Sequence, residues 1–371
     1  MRVPALKSIV LITLVALSLG AHAFDSGTQD LLTQALDDIV ETEGLVGAAA
    51  GIRVNGNLRA LAAAGHRTKA RKSQVTTDDL WHTGSITKSM TALLIGSMME
   101  REEIRLEDTV AEVLPERAKA MDPGWHGITV HQLLTHTSGA PGSFGPFLTF
   151  VGIPAKAAEA RVAALDSIMQ SPPQAEPGSA FAYSNLGYTL AGHLAEVRLG
   201  IPWYQAVQQR VFEPLGLESP GFGPPQGDQP VGHANLMGFK RTAPRRGLGS
   251  DNSMIMAPAG LVHMSITDLL RYGQAHLDGA RGKDGLLKAA TIQKLHEPRM
   301  DDYAAGMVVM QRESAGGRIL WHNGSNTQWY ALLIIAPEKN AVVALATNDG
   351  AIKKAEPAFF MLADQLLETL P

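Results

Sequence analysis

Three short motifs carry side chains whose types and spacing suit the making and breaking of a carbonyl bond. Ser85-Ile86-Thr87-Lys88 is the sole S-x-x-K in the sequence. It follows the turn-like Trp81-His82-Thr83-Gly84 and opens a stretch with the spacing of an amphipathic helix, residues 86–101. Residues three apart share a helix face, so Ser85 and Lys88 would point into one space. A lysine stripped of water loses its proton more readily and can serve as base for the serine. A helix N-terminus also favours the negative charge developing on the serine oxygen. The pattern alone is weak: with 19 Ser and 13 Lys in 371 residues, about 0.7 matches arise by chance. Its place at a turn-to-helix junction is what gives it weight.

Tyr183-Ser184-Asn185 stands between Pro177-Gly178 and a helix expected over 186–198. A tyrosine there can share a proton with the Ser–Lys pair and pass it to a leaving group. Asn185 can donate to Lys88 or to a substrate carbonyl. The plainer reading is N-capping by Ser184 or Asn185, and both can hold together. Trp321-His322-Asn323-Gly324-Ser325 ends one expected strand before another. A glycine there lets a substrate backbone approach closely, and the Ser325 amide, with that of Ser85, can hold an oxyanion. The plainer reading is a hairpin turn with an exposed histidine.

Elements must bring these motifs together. Helical spacing covers 28–43, 155–170, 186–198, 203–211 and about 354–369. Val46–Val54 and Leu58–Ala64 read as strands around Asn55-Gly56-Asn57, a hairpin signal. Pro220–Gly227 reads as a loop. Ala304–Gln311, Arg318–Trp321, Gln328–Ile335 and Ala341–Thr347 are consecutive strands whose links are too short for parallel crossovers, so they must be antiparallel. The expected architecture is α/β of the α+β type. An antiparallel sheet from both chain ends (about 24–101 and 260–371) is flanked by helices, with a mostly helical lobe (about 102–260) inserted.

Composition narrows the function. The chain is 45% hydrophobic and 18% charged with net charge -4, a folded protein with no dominant basic surface, so nucleic acid is not an expected partner. The absence of Cys removes disulfides, thiolate zinc sites and cysteine nucleophiles. Arg2 and Lys7, the apolar run Ile9–Leu19 and Ala21-His22-Ala23 form the three-part layout of a secretory signal peptide over 1–23, too short to span a bilayer. Its removal leaves 348 residues at -6, a secreted or periplasmic protein with no stable membrane anchor. His131 and His136 do not match H-E-x-x-H and no metal is expected. Met254, Met256 and Met264 read as packing residues.

Taken together and in order, Ser85–Lys88, Tyr183–Asn185 and His322–Gly324 resemble the S-x-x-K, Y-x-N and [K/H]-x-G motifs of the penicillin-recognising serine hydrolases. The likeness is to the class C β-lactamase-like branch with its esterases and D-amino-acid peptidases. Residues 80–114, Ile128–Gly139, Pro177–Gly192 and Ala259–Tyr272 also look like text of that family. The resemblance implies a serine hydrolase working through an acyl-enzyme on Ser85. Lys88 and Tyr183 would handle the proton, His322 would assist at the strand edge, and Asn185, Gly324 and Ser325 would contact substrate or oxyanion. No cofactor is implied, and the substrate would be a small ester, amide or peptide. His322-Asn323 stands where β-lactamases carry the Lys-Thr that holds the drug's carboxylate, which moves the expectation from β-lactams to esters or peptides. The alternatives at this level are a weak β-lactamase or D,D-peptidase and, from another class, a non-catalytic protein binding cell-wall peptides or a partner.

Overall fold

The computed structural model describes residues 26–70, 73–145, 157–236, 239–246 and 249–371; the expected signal peptide and positions 155–156 of one expected helix lie outside them. Six strands form an antiparallel sheet in the order β2-β1-β11-β10-β9-β8. These are β1 (Gly47–Val54), β2 (Asn57–Gly65), β8 (Val308–Arg312), β9 (Gly317–Ser325), β10 (Tyr330–Ala336) and β11 (Ala341–Thr347). The late strands form a meander, and β1 pairs with β11 (Ala48 opposite Thr347), so the first and last strands join as expected.

Both faces of this sheet are covered, which is why β10 and β11 read as unbroken apolar runs rather than alternating ones. Leu332, Ile334, Val343 and Leu345 pack on the back face against α1 (Ser26–Thr42) and the terminal helix Ile352–Glu368. Ala331, Leu333, Ile335 and Val342 face the helix Ile266–Ala280 and the inserted lobe. Burial of one leucine-sized side chain contributes roughly 1.5–3 kcal/mol, so these two layers dominate the stability.

The structure differs from expectation in several places; among the strands, β8 starts at Val308 rather than Ala304 and β9 continues through the third motif to Ser325. The helix after Ser85, α2 (Thr87–Met99), is not amphipathic: every residue from Thr87 to Met98 is buried, because the lobes close on it from all sides. Its serine hydroxyls tolerate this by bonding backward, Ser89 to the Ile86 carbonyl and Ser97 to that of Leu94, and Thr91 donates to the Pro258 carbonyl. The 203–211 helix runs as α from Trp203 to Val207 and then as a wider π-type turn, Gln208–Phe212. Pro220–Gly227 is not wholly loop: β4 (Gly221–Phe222) joins β3 (Leu80–His82) and β7 (Val262–Ser265) in a second sheet too short to show periodicity. An antiparallel pair, β5 (His233–Leu236) and β6 (Phe239–Thr242), has no counterpart among the expected strands.

Candidate active site

The second sheet sets the position of Ser85. Leaving β3, Thr83 donates its amide and hydroxyl to the Val262 carbonyl on β7 at 2.9 and 2.8 Å. The Thr87 hydroxyl donates to the Gly84 carbonyl at 2.7 Å and accepts from the Val262 amide. Between these latches the chain turns through Gly84, at φ +52, into a single 3-10 turn, Gly84–Ile86, that continues as α2.

Lys88 lies one turn on, fully buried, its ammonium shared among three acceptors. It donates to Ser85 Oγ at 3.0 Å, to Asn185 Oδ1 at 2.7 Å and to the Ala259 carbonyl at 2.7 Å. All three acceptors are neutral, so no full charge offsets the loss of water. Burial therefore pushes the Lys88 amine well below its ordinary pKa. Asn185 accepts from Lys88 rather than donating to it, and the carbonyl of Ala259 had no signal in the sequence. Ser184 caps the helix Asn185–Leu199 by accepting from the Gly187 amide, so the capping reading and the site reading of this motif coexist.

Tyr183 lies beside Ser85, and its ring centroid lies 4.8 Å from the lysine nitrogen. Burial pushes its hydroxyl up to about 12, with the nearby Ser85 hydroxyl pulling it down. Tyr183 is nevertheless 39% exposed by area, so water in the cleft moderates the upward push.

Strand β9 closes the other side. A Cβ added to Gly324 would stand 1.9 Å from the Thr83 carbonyl oxygen and 2.6 Å from the Ser85 nitrogen, and one on Gly84 would stand 2.4 Å from the Ser325 nitrogen. Two glycines thus let the Ser85 and Ser325 amides sit side by side, a geometry suited to an oxyanion. His322 is buried, and burial and the charge of Lys88 push its imidazole down to about 3. Its Nδ1 bonds the Asn323 carbonyl and its Nε2 accepts from the Tyr303 hydroxyl at 3.0 Å; no described hydrogen bond joins it to Ser85 or Lys88. Asn323 points to the opposite face and donates to Glu356 on the terminal helix at 2.6 Å.

A family model described as Beta-lactamase matches residues 32–364. The chain belongs to that family. It is 29% identical over 327 residues to a penicillin-binding protein 4 of Amycolatopsis lactamdurans, covering 84% of each chain. It is 30% identical over 221 residues to esterase EstB of Burkholderia gladioli, spanning 56% of each. In fold it is similar to the D-amino acid amidase of Ochrobactrum anthropi SV3, with a TM-score of 0.75 at 19% identity, covering 92% of this chain and 98% of that one. Membership makes the protein a serine hydrolase of β-lactamase fold.

Within the family frame, two aromatic-side residues escaped the sequence reading. Tyr303, 3% exposed, occupies the Nε2 of His322 and packs its ring 4.6 Å from that of His136. In the sequence His136 stands out only as half of a histidine pair without metal spacing and as part of Ile128–Gly139. It adopts φ +57, accepts the Ser184 amide on Nδ1 at 3.0 Å and packs its ring 4.2 Å from Tyr183. Neither sits in a motif with chemical spacing, since both act through contacts with distant elements. Among the described residues no group of three or more His, Asp or Glu is placed to hold a metal ion.

Proposed function

We propose that the protein is an exported serine hydrolase that cleaves esters or amides lacking a carboxylate beside the scissile bond, through an acyl-enzyme on Ser85. The observation that carries this is the Lys88 amine, fully buried, 3.0 Å from Ser85 Oγ and held by neutral acceptors alone. In its uncharged form that amine takes the Ser85 proton as Oγ bonds to the substrate carbonyl carbon. The amides of Ser85 and Ser325 receive the developing oxyanion. The proton then passes from Lys88 through the Tyr183 hydroxyl to the leaving group, and water, deprotonated by the same pair, releases the acid and restores Ser85.

Substrate class follows from charge. Where β-lactamases present a lysine, this cleft presents a neutral imidazole tied to Tyr303, and Asn323 faces the back of the sheet. A substrate carboxylate would meet no fixed cation from these two positions. Nitrophenyl esters, D-Ala-terminated peptides and nitrocefin assayed side by side test this, with ester turnover expected well above that of nitrocefin. Nitrocefin turnover equal to that of the esters would overturn the substrate assignment. Failure of a fluorophosphonate probe to label Ser85 would overturn the hydrolase reading and favour a binding protein.

A further inference from the structure

A buried carboxylate from the inserted lobe touches neither Ser85 nor Lys88, yet reaches both segments that present the oxyanion amides. Asp251 is 8% exposed. Its Oδ2 lies 2.9 Å from Nε2 of His82, a fully buried imidazole, at an angle too bent for a straight hydrogen bond. His82 Nδ1 accepts the amide of Gly84 at 3.1 Å, the residue before Ser85. Asp251 Oδ1 accepts from the side chain of Asn326 at 2.7 Å and from the Asn252 amide at 2.7 Å. Asn326 follows Ser325 and is itself fixed, its Oδ1 accepting the amides of Gln328 and Trp329 at 3.1 and 3.2 Å.

We propose that Asp251 is a positioning residue that sets the spacing of the Ser85 and Ser325 amides, through His82 on one side and Asn326 on the other. This rests on the hydrolase reading above. The donor count explains why a carboxylate is required. His82 Nδ1 accepts from Gly84, so the ring proton resides on Nε2, 2.9 Å from Asp251 Oδ2 but bent off the line between them. The Asn326 carbonyl is occupied, so its NH2 must also face Asp251. Two donors therefore converge from opposite sides, with the Asn252 amide as a third. A carboxylate has two accepting oxygens; an amide has one and adds donors of its own. Asp251→Asn must leave one arm facing a donor. If that arm is His82, the imidazole tautomer reverses and Nδ1 no longer accepts from Gly84. A buried carboxylate without a cationic partner is costly, and its cost here is offset by the order it imposes on two loops.

The test compares wild type with Asp251→Asn, His82→Gln and the double variant, using a neutral nitrophenyl ester, with active sites titrated by the fluorophosphonate. An oxyanion donor that is displaced rather than removed predicts a kcat loss of roughly 10- to 100-fold. KM should stay within about threefold, since the ground-state carbonyl gains little from the hole. The double variant should be no slower than Asp251→Asn alone, because both changes cut the same link. Hydrogen exchange at the Gly84 amide, read by NMR, should accelerate in Asp251→Asn while exchange in the terminal helix does not. Should Asp251→Asn fail to fold, His82→Gln carries the kinetic and exchange readings by itself. Wild-type kcat per titrated site, multiplicative losses in the double variant, or unchanged Gly84 protection would each overturn the proposal. A wild type that neither turns over nor labels would overturn the hydrolase reading instead, and Gly84 exchange would still judge the positioning role.

Discussion

At the scale of single residues, the Lys88 and Tyr183 shifts run in opposite directions, which bears on the proposed route of the serine proton. Burial lowers the lysine well below its usual value and raises the tyrosine to about 12, which supports the proposed assignment of the lysine as base and the tyrosine as carrier. Activity on a neutral ester should therefore rise from pH 5 with a midpoint well below 10, and Tyr183→Phe should lower kcat by about 10²- to 10⁴-fold without moving that midpoint. A midpoint that vanishes with the hydroxyl would reassign the base. Ser85→Ala should abolish turnover and probe labelling while melting within a few degrees of wild type, because a half-buried hydroxyl contributes little to packing. The His322 position is cleaner to test singly than with Asn323, whose bond to Glu356 serves the back of the sheet. His322→Lys places a charge where a β-lactam carboxylate would lie. Since a charge-assisted bond contributes about 1.5–3 kcal/mol and Tyr303 already fills the space, nitrocefin acylation should improve by roughly tenfold, the low end. No gain would move the control of specificity to the inserted lobe.

Among the elements, the decisive contact is that of β9 with the turn before α2. It depends on two missing side chains, and the geometry leaves no alternative: backbone atoms of Thr83 and Ser85 cannot move aside as a flexible side chain would. Gly324→Ala should separate the two amides, costing at least 100-fold in kcat together with a measurable loss of stability. Gly127→Ala, where an added methyl meets nothing within 4 Å, is the matched control and should leave both unchanged. Equal kcat for the two variants would show that the segments tolerate separation. The same contact explains why α2 is buried throughout. A helix pinned by its N-terminus between two sheets and the inserted lobe has no solvent face, and an expectation built on periodicity assumes one.

For the molecule as a whole, buried neutral histidines set the acid limit. Burial holds His276 and His322 near 3 and His263 near 4, with His136 and His296 also pushed well down. The unfolded chain binds protons at each from about pH 6.5 downward while the folded chain does not. Above that pH there is no difference; below it, stability falls by up to about 1.4 kcal/mol per pH unit for each such group. Lys88, uncharged in the folded chain and charged in the unfolded one near neutrality, adds a shallow slope of its own, so urea midpoints should fall gently from pH 8 to 7 and drop steeply between 6.5 and 5, before carboxylates begin to titrate. A flat profile down to pH 5 would mean that these rings are not buried neutral in solution.

The sequence by itself determined the three motifs, their order and the late antiparallel meander, because each is written in local spacing: three residues for a helix face, two for a strand, a few for a turn. It also carried the family resemblance that the match over residues 32–364 bears out. Only the tertiary structure decided what Lys88 bonds to, 97 and 171 residues away, that Tyr303 occupies His322, that Asn323 faces backward, and that Asp251 reaches His82 and Asn326. Those contacts depend on how the inserted lobe docks on the sheet. Packing of that kind is distributed over many apolar residues, and no spacing along the chain records it.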